Sequence, residues 1–128
     1  MPNILLVEDD EIMLKAIKSI LVKEGYKVFT AKDGKEAFEL ISKVSFGILI
    51  TDLMLPHTSG LEVVSKMRDQ ESTKNIGIIV VSAVGNQETI TEAYQLGADE
   101  YLKKPIIATT LLLTIRKLIN DKNIKIVH

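Results

Sequence analysis

Gly47-Ile48-Leu49-Ile50-Thr51 runs directly into Asp52-Leu53-Met54-Leu55-Pro56. The first five residues are mostly β-branched and show no polar alternation. A strand covered on both faces looks like this, as the middle strands of a parallel sheet do. Ile4-Leu5-Leu6-Val7 and Ile78-Ile79-Val80-Val81 read the same way. Tyr26-Lys27-Val28-Phe29-Thr30 admits a lysine, and Asp99-Glu100-Tyr101-Leu102 is short and charged, so both suit sheet edges.

Between these runs the period changes to that of a helix. Residues 10–24 carry Ile12, Ala16, Ile17, Ile20 and Leu21 at helical spacing, and Gly25 is a natural stop. Residues 33–43 follow with Ala37, Leu40 and Ile41 facing inward; 60–69, 87–96 (ended by Gly97) and 106–120 complete the set. In the last helix Leu111, Ile115 and Leu118 form a buried stripe. Leu113 lies about 200° from Leu111 and should face solvent, with Leu112 on the flank. Five strands alternating with five helices predict a doubly wound α/β domain. With the three apolar runs as strands one, three and four, the parallel sheet takes the order 2-1-3-4-5.

The chain has 128 residues, 46% hydrophobic and 26% charged, which suits one globular domain. A formal charge of -1, with basic residues spread along the chain, gives no footprint for direct nucleic-acid binding. Without cysteine there is no thiol catalysis, disulfide or thiolate-bound metal. No apolar run approaches the roughly 18 residues of a membrane span, and residues 1–10 turn acidic too early for a signal peptide. The expectation is a cytoplasmic protein with no membrane contact.

In an open α/β sheet the site lies at the carboxyl ends of the strands, beside the point where strand order reverses. Glu8, Asp9 and Asp10 follow the first strand, Asp52 ends the third, Ser82 the fourth, and the fifth runs into Lys103-Lys104-Pro105. Carboxylates gathered this closely repel one another unless a cation intervenes. Oxygen ligands without His or Cys suit Mg²⁺ better than zinc or copper. A bound Mg²⁺ would draw a phosphoryl oxygen to an otherwise repulsive site, making Asp52 a candidate nucleophile for an acyl phosphate. Ser82 could donate to that phosphoryl group and Lys104 could counter its charge. Singly, each residue has an ordinary reading: Asp10 as a helix cap, Lys104 as a surface lysine, Ser82 as a turn serine. Their convergence on one sheet edge sets the ordinary readings aside, whereas His57 and His128 read as solvated loop and tail residues.

These residues resemble the receiver domain of two-component response regulators, over residues ~3 to ~120. The resemblance is carried by Val7-Glu8-Asp9-Asp10, Thr51-Asp52-Leu53-Met54-Leu55-Pro56 with Gly60 eight positions after Asp52, Val81-Ser82-Ala83, Gly97-Ala98-Asp99-Glu100-Tyr101 and Lys104-Pro105. It implies a flavodoxin-like fold, a receiver at 1–121 and a tail at 122–128. It implies Asp52 as phospho-acceptor and Glu8, Asp9, Asp52 and the Met54 carbonyl as the Mg²⁺ site, Glu8 mainly through water. Ser82 and Lys104 take catalytic parts, Ser82 and Tyr101 form the switch pair, and Lys104-Pro105 is cis. Asp10 matches no ligand position. The loop His57-Thr58-Ser59-Gly60 departs from the family's commoner Gly-Met-Asp-Gly, and Ser82 stands for a commoner threonine.

The implied partners are a sensor histidine kinase and a downstream effector, or a second copy of the chain, through the fourth helix, fifth strand and fifth helix around Tyr94, Tyr101 and Lys103. Only residues 121–128 follow the last helix, too few for an effector domain within this sequence. The chain is expected to be a switch and not an enzyme, catalysing its own phosphotransfer and a slow autodephosphorylation, since Met54 and Val84 are apolar where the hydrolytic water would pass. Two other classes share features with it. A flavodoxin-like cofactor binder would cradle phosphate after the first strand, where Glu8-Asp9-Asp10 repels it. A degenerate receiver, serving only as an interaction module, would lack the acceptor, an acid or the lysine, and none is missing.

Overall fold

The computed structural model describes residues 1–124. Its elements alternate strictly: β1 (Asn3–Val7), α1 (Glu11–Lys23), β2 (Lys27–Ala31), α2 (Gly34–Ile41), β3 (Ile48–Asp52), α3 (Gly60–Asp69), β4 (Gly77–Ser82), α4 (Gln87–Leu96), β5 (Glu100–Lys103) and α5 (Ala108–Asp121). The five strands form one sheet in the order β2-β1-β3-β4-β5, every neighbouring pair parallel. The expected architecture and strand order are therefore the observed ones. Of the expected tail at 122–128, residues 125–128, His128 among them, lie outside the described residues. No helix among the described residues is long and apolar enough to cross a membrane.

Side-chain alternation along each strand divides the core into two layers. Leu5, Val7, Leu49, Ile78 and Val80 point to the face covered by α2, α3 and α4, where Ala37, Val63, Val64, Met67 and Ala93 are buried with them. Ile4, Leu6, Ile48, Ile50, Ile79 and Val81 point to the other face, against Ile17 and Leu21 of α1 and Leu111, Ile115 and Leu118 of α5. Burial on both faces is why β3 and β4 lack polar alternation. The α5 stripe is as the spacing predicts, and Leu113 is 64% exposed.

Three expectations are corrected. Ile12 is 84% exposed, and the buried residues of α1 are Ile17 and Leu21. At ~100° per residue Ile12 sits about 140° from Ile17, so it cannot share that stripe. The last helix begins at Ala108, two residues later than expected. Pro105 follows a cis peptide bond, and Ile107 is still extended at φ −98°, ψ 121°. The second helix ends at Ile41 rather than reaching Lys43. Asp10 caps α1, accepting from the backbone N–H groups of Ile12 and Met13, which is its ordinary reading.

Candidate functional site

Parallel strands send all their carboxyl ends to one edge, and the chemistry-bearing residues gather there. Glu8 continues β1 by one residue, its N–H donating to Ala31 O at 2.9 Å. Asp52 is the last residue of β3 and Ser82 the last of β4. Past β5, the Lys104 N–H donates to Ser82 O at 2.8 Å, which carries the sheet's pairing one residue further. From there the Lys104 ammonium reaches across the edge. Its Nζ lies 2.8 Å from Glu8 Oε1 and 2.9 Å from Asp52 Oδ2. Lys104 thus bridges residues from two other strand ends, with Glu8 only 1% exposed.

One ligand oxygen each from Glu8, Asp9 and Asp52 lies within 4.8 Å of the other two. Asp9 is exposed, and the other two acids are buried. Three carboxylates around one ammonium leave the cluster net negative, and its donors are all hard oxygens. That set fits a hard divalent cation such as Mg²⁺ and does not fit zinc or copper. Met54 is placed beside the same carboxylate, donating its N–H to Asp52 Oδ1 at 3.2 Å.

Burial lifts the Glu8 carboxyl above its ordinary range; the Lys104 ammonium opposes that shift and the Asp52 carboxylate adds to it. Burial alone would pull Lys104 down, but its hydrogen bonds to Glu8 and Asp52 outweigh this and hold it above its usual value. A carboxyl raised on folding contributes stability that is fully present below its unfolded value, about pH 4.3, and is lost as the pH rises through the raised value. In chelator, Glu8→Gln should therefore be at least as stable as the parent at neutral pH. The difference should shrink as the pH falls towards about 4. Urea unfolding at a series of pH values measures this. A variant less stable than the parent at neutral pH would mean that the ion pair outweighs the cost of burial.

Ser82 Oγ does not join the carboxylates directly: it accepts the Val84 N–H at 3.0 Å. Tyr101 OH donates to the carbonyl of the same residue, at 2.5 Å. The two expected switch residues thus grip Val84 from both sides. The loop after Pro56 turns at His57, which has φ 64°, and Ser59 caps α3 by accepting from the Leu61 N–H.

The residues of this edge are all marked in the sequence pattern, but two arrangements are not. One is the double grip on Val84. The other lies at the opposite edge, where the Arg68 guanidinium donates to Gly97 O, Lys74 O, Ile76 O and Asp99 Oδ2 at 2.7–3.0 Å. Asp99 Oδ2 also accepts the Ile78 N–H, and Lys122 Nζ lies 3.2 Å from Asp99 Oδ1. Gly97-Ala98-Asp99 was the only part of this cluster with a sequence signal.

The family model described as the response regulator receiver domain matches residues 4–116. The response regulator RR06 of Streptococcus pneumoniae is 35% identical over 117 residues, covering 91% of this chain and 52% of the relative. The transcriptional regulatory protein CrdR of Helicobacter pylori is 34% identical over 124 residues, covering 97% of this chain and 58% of the relative. The chain therefore spans a little over half the length of these two relatives. The chemotaxis response regulator CheY4 of Vibrio cholerae superposes with a TM-score of 0.86 at 31% identity, covering 92% of this chain and 98% of that one. The match corrects one expectation, that the chain is not an enzyme. Receiver domains are phospho-acceptor switches that carry out their own phosphotransfer, so the exclusion of enzyme activity does not stand.

Proposed function

This chain belongs to the response regulator receiver family, and from that premise we propose that Asp52 accepts a phosphoryl group from the phosphohistidine of a sensor histidine kinase. The observation that carries the reading is the Lys104 ammonium, which bridges Glu8 and Asp52 at 2.8 and 2.9 Å within an otherwise acidic cluster. In the step, a carboxylate oxygen of Asp52 forms a bond to phosphorus while the phosphorus–nitrogen bond of the donor breaks. The electron pair leaves with the imidazole, which takes up a proton.

Glu8, Asp9, Asp52 and the Met54 carbonyl would hold Mg²⁺, which when bound neutralises the carboxylates and polarises the phosphoryl group. Lys104 counters the charge that arrives with the phosphoryl group, and Ser82 Oγ donates to one of its oxygens. Once Ser82 turns to that oxygen, its bond to Val84 is given up and the change passes through Tyr101 to α4, β5 and α5. The receiver comprises residues 1–121. Its partners are the kinase and a downstream effector, or a second copy of the chain on the α4, β5 and α5 surface, with no direct nucleic-acid or membrane contact.

The test is mass spectrometry after incubation with a small phosphodonor. One phosphoryl group should be gained in Mg²⁺ and none in excess chelator. Full gain in chelator would refute the metal's part, and no gain in Mg²⁺ would refute the acceptor.

A further inference from the structure

We propose that Thr51 is a positioning residue for the phospho-acceptor: its buried hydroxyl fixes the peptide of Asp52 and, through it, the aim of the carboxylate. Thr51 is 0% exposed. In the sheet register it stands between Val7 of β1 and Val80 of β4, both buried in the apolar layer under α2, α3 and α4. Valine has the same shape and would bring no polar group into that layer, where a hydroxyl left unbonded is costly. The Thr51 hydroxyl is bonded, and its partner belongs to the acceptor: Oγ1 donates to the carbonyl oxygen of Asp52 at 2.9 Å.

That carbonyl lies where β3 gives way to the loop of the site. The next one, of Leu53, accepts the Gly60 N–H at 2.8 Å. Two consecutive peptides leaving the strand are thus held, one by Thr51 and one by the start of α3. The orientation of the Asp52 carbonyl sets the ψ angle of Asp52, and so where the following residues lie relative to its own side chain. Met54 depends on that angle, because its N–H must reach Asp52 Oδ1, now 3.2 Å away. Lys104 Nζ holds the other oxygen, Oδ2, at 2.9 Å. If the peptide is free to rock, the Met54 contact loosens, and an attacking oxygen out of line costs rate. The hydroxyl acts through the Asp52 peptide and touches no reacting atom. The inference rests on the reading of Asp52 as acceptor only for what the rate means.

Two variants separate positioning from packing. Thr51→Val keeps the branched shape and loses the hydroxyl, whereas Thr51→Ser keeps the hydroxyl and loses a methyl group. Initial phosphoryl uptake from acetyl phosphate in Mg²⁺ is followed by mass over a range of donor concentrations, beside urea unfolding. The rate at saturating donor should fall about fivefold in Thr51→Val, the factor one net hydrogen bond is worth. The half-saturating concentration should not change, since no contact to the donor is removed. Thr51→Ser should keep the parent's rate although it unfolds at lower urea. The Asp52 carbonyl carbon resonance, read through the Leu53 amide, should move upfield in Thr51→Val and stay in place in Thr51→Ser. A parent-like rate in Thr51→Val, rates that follow stability across the variants, or an unmoved resonance in Thr51→Val overturns the positioning role. A parent chain that gains no phosphoryl group refutes the acceptor, and the resonance, which needs no phosphodonor, then decides whether the hydroxyl anchors Asp52.

Discussion

Asp52→Asn should take up no phosphoryl group under conditions in which the parent chain is fully modified. The attacking atom must be an anionic oxygen that can become the bridging oxygen of an acyl phosphate. An amide oxygen carries no charge, and its nitrogen lone pair is delocalised. Removing a covalent nucleophile has cost an enzyme on the order of 10⁶ in rate, which in a mass spectrum reads as no gain at all. The substitution has two opposing effects on the fold. Asn has one acceptor oxygen for the two donors that Asp52 now serves, the Met54 N–H at 3.2 Å and Lys104 Nζ at 2.9 Å. Against this, it removes one negative charge from beside Glu8, whose carboxyl the Asp52 charge helps to raise. Lys104 keeps Glu8 as a partner at 2.8 Å, and urea unfolding of the variant beside the uptake assay separates lost uptake from unfolding. A mass gain equal to the parent's would place the acceptor elsewhere.

The fold was legible because its signal is repeated. Three short, mostly β-branched apolar runs read as central strands, and a parallel sheet built on them delivers Glu8, Asp9, Asp52, Ser82 and Lys104 to one edge. Contacts decided by turns were not legible. That Lys104 would bridge Glu8 and Asp52, and that Glu8 would be the deeply buried acid while Asp9 faces solvent, depends on the path of residues 103–105 and on the chain leaving β1. The Arg68 cluster was invisible for a different reason. Three of its acceptors are backbone carbonyls, which every residue has and no pattern marks. Ile12 misled because α1 is apolar at more positions than its buried stripe needs, and composition does not say which of them lie on it.

The second large effect should come from a residue that carries no functional group. Gly60 opens α3, and its N–H donates to Leu53 O at 2.8 Å. It needs no unusual backbone angle, since it is not among the residues of positive φ; what it allows is close approach. A Cβ here would collide with the carbonyl oxygen of Asp52 and come within 2.8 Å of Leu53 Cα and 2.9 Å of Asp52 C. All three are backbone atoms, so no side chain can swing aside, and the peptide unit of Asp52 itself must move. Overpacking of this kind costs about 1–3 kcal/mol and sometimes more, and a shift of about 1 Å at a reacting group can cost on the order of 100-fold in rate. Gly60→Ala should therefore lose both stability and phosphoryl uptake. Gly34 is the matched control: it opens α2 in the same way, but the nearest atoms a Cβ there would meet belong to the Thr58 side chain, at 2.9–3.3 Å, and not to backbone. Gly34→Ala also gains about 0.4–1 kcal/mol from the stiffer unfolded chain, so its net change should be small. Urea unfolding and the initial rate of uptake are to be measured on both variants. Equal losses in the two would mean that the helix start matters and the approach to Asp52 does not. A stable Gly60→Ala with the parent's rate would show that the loop relaxes without moving the acceptor.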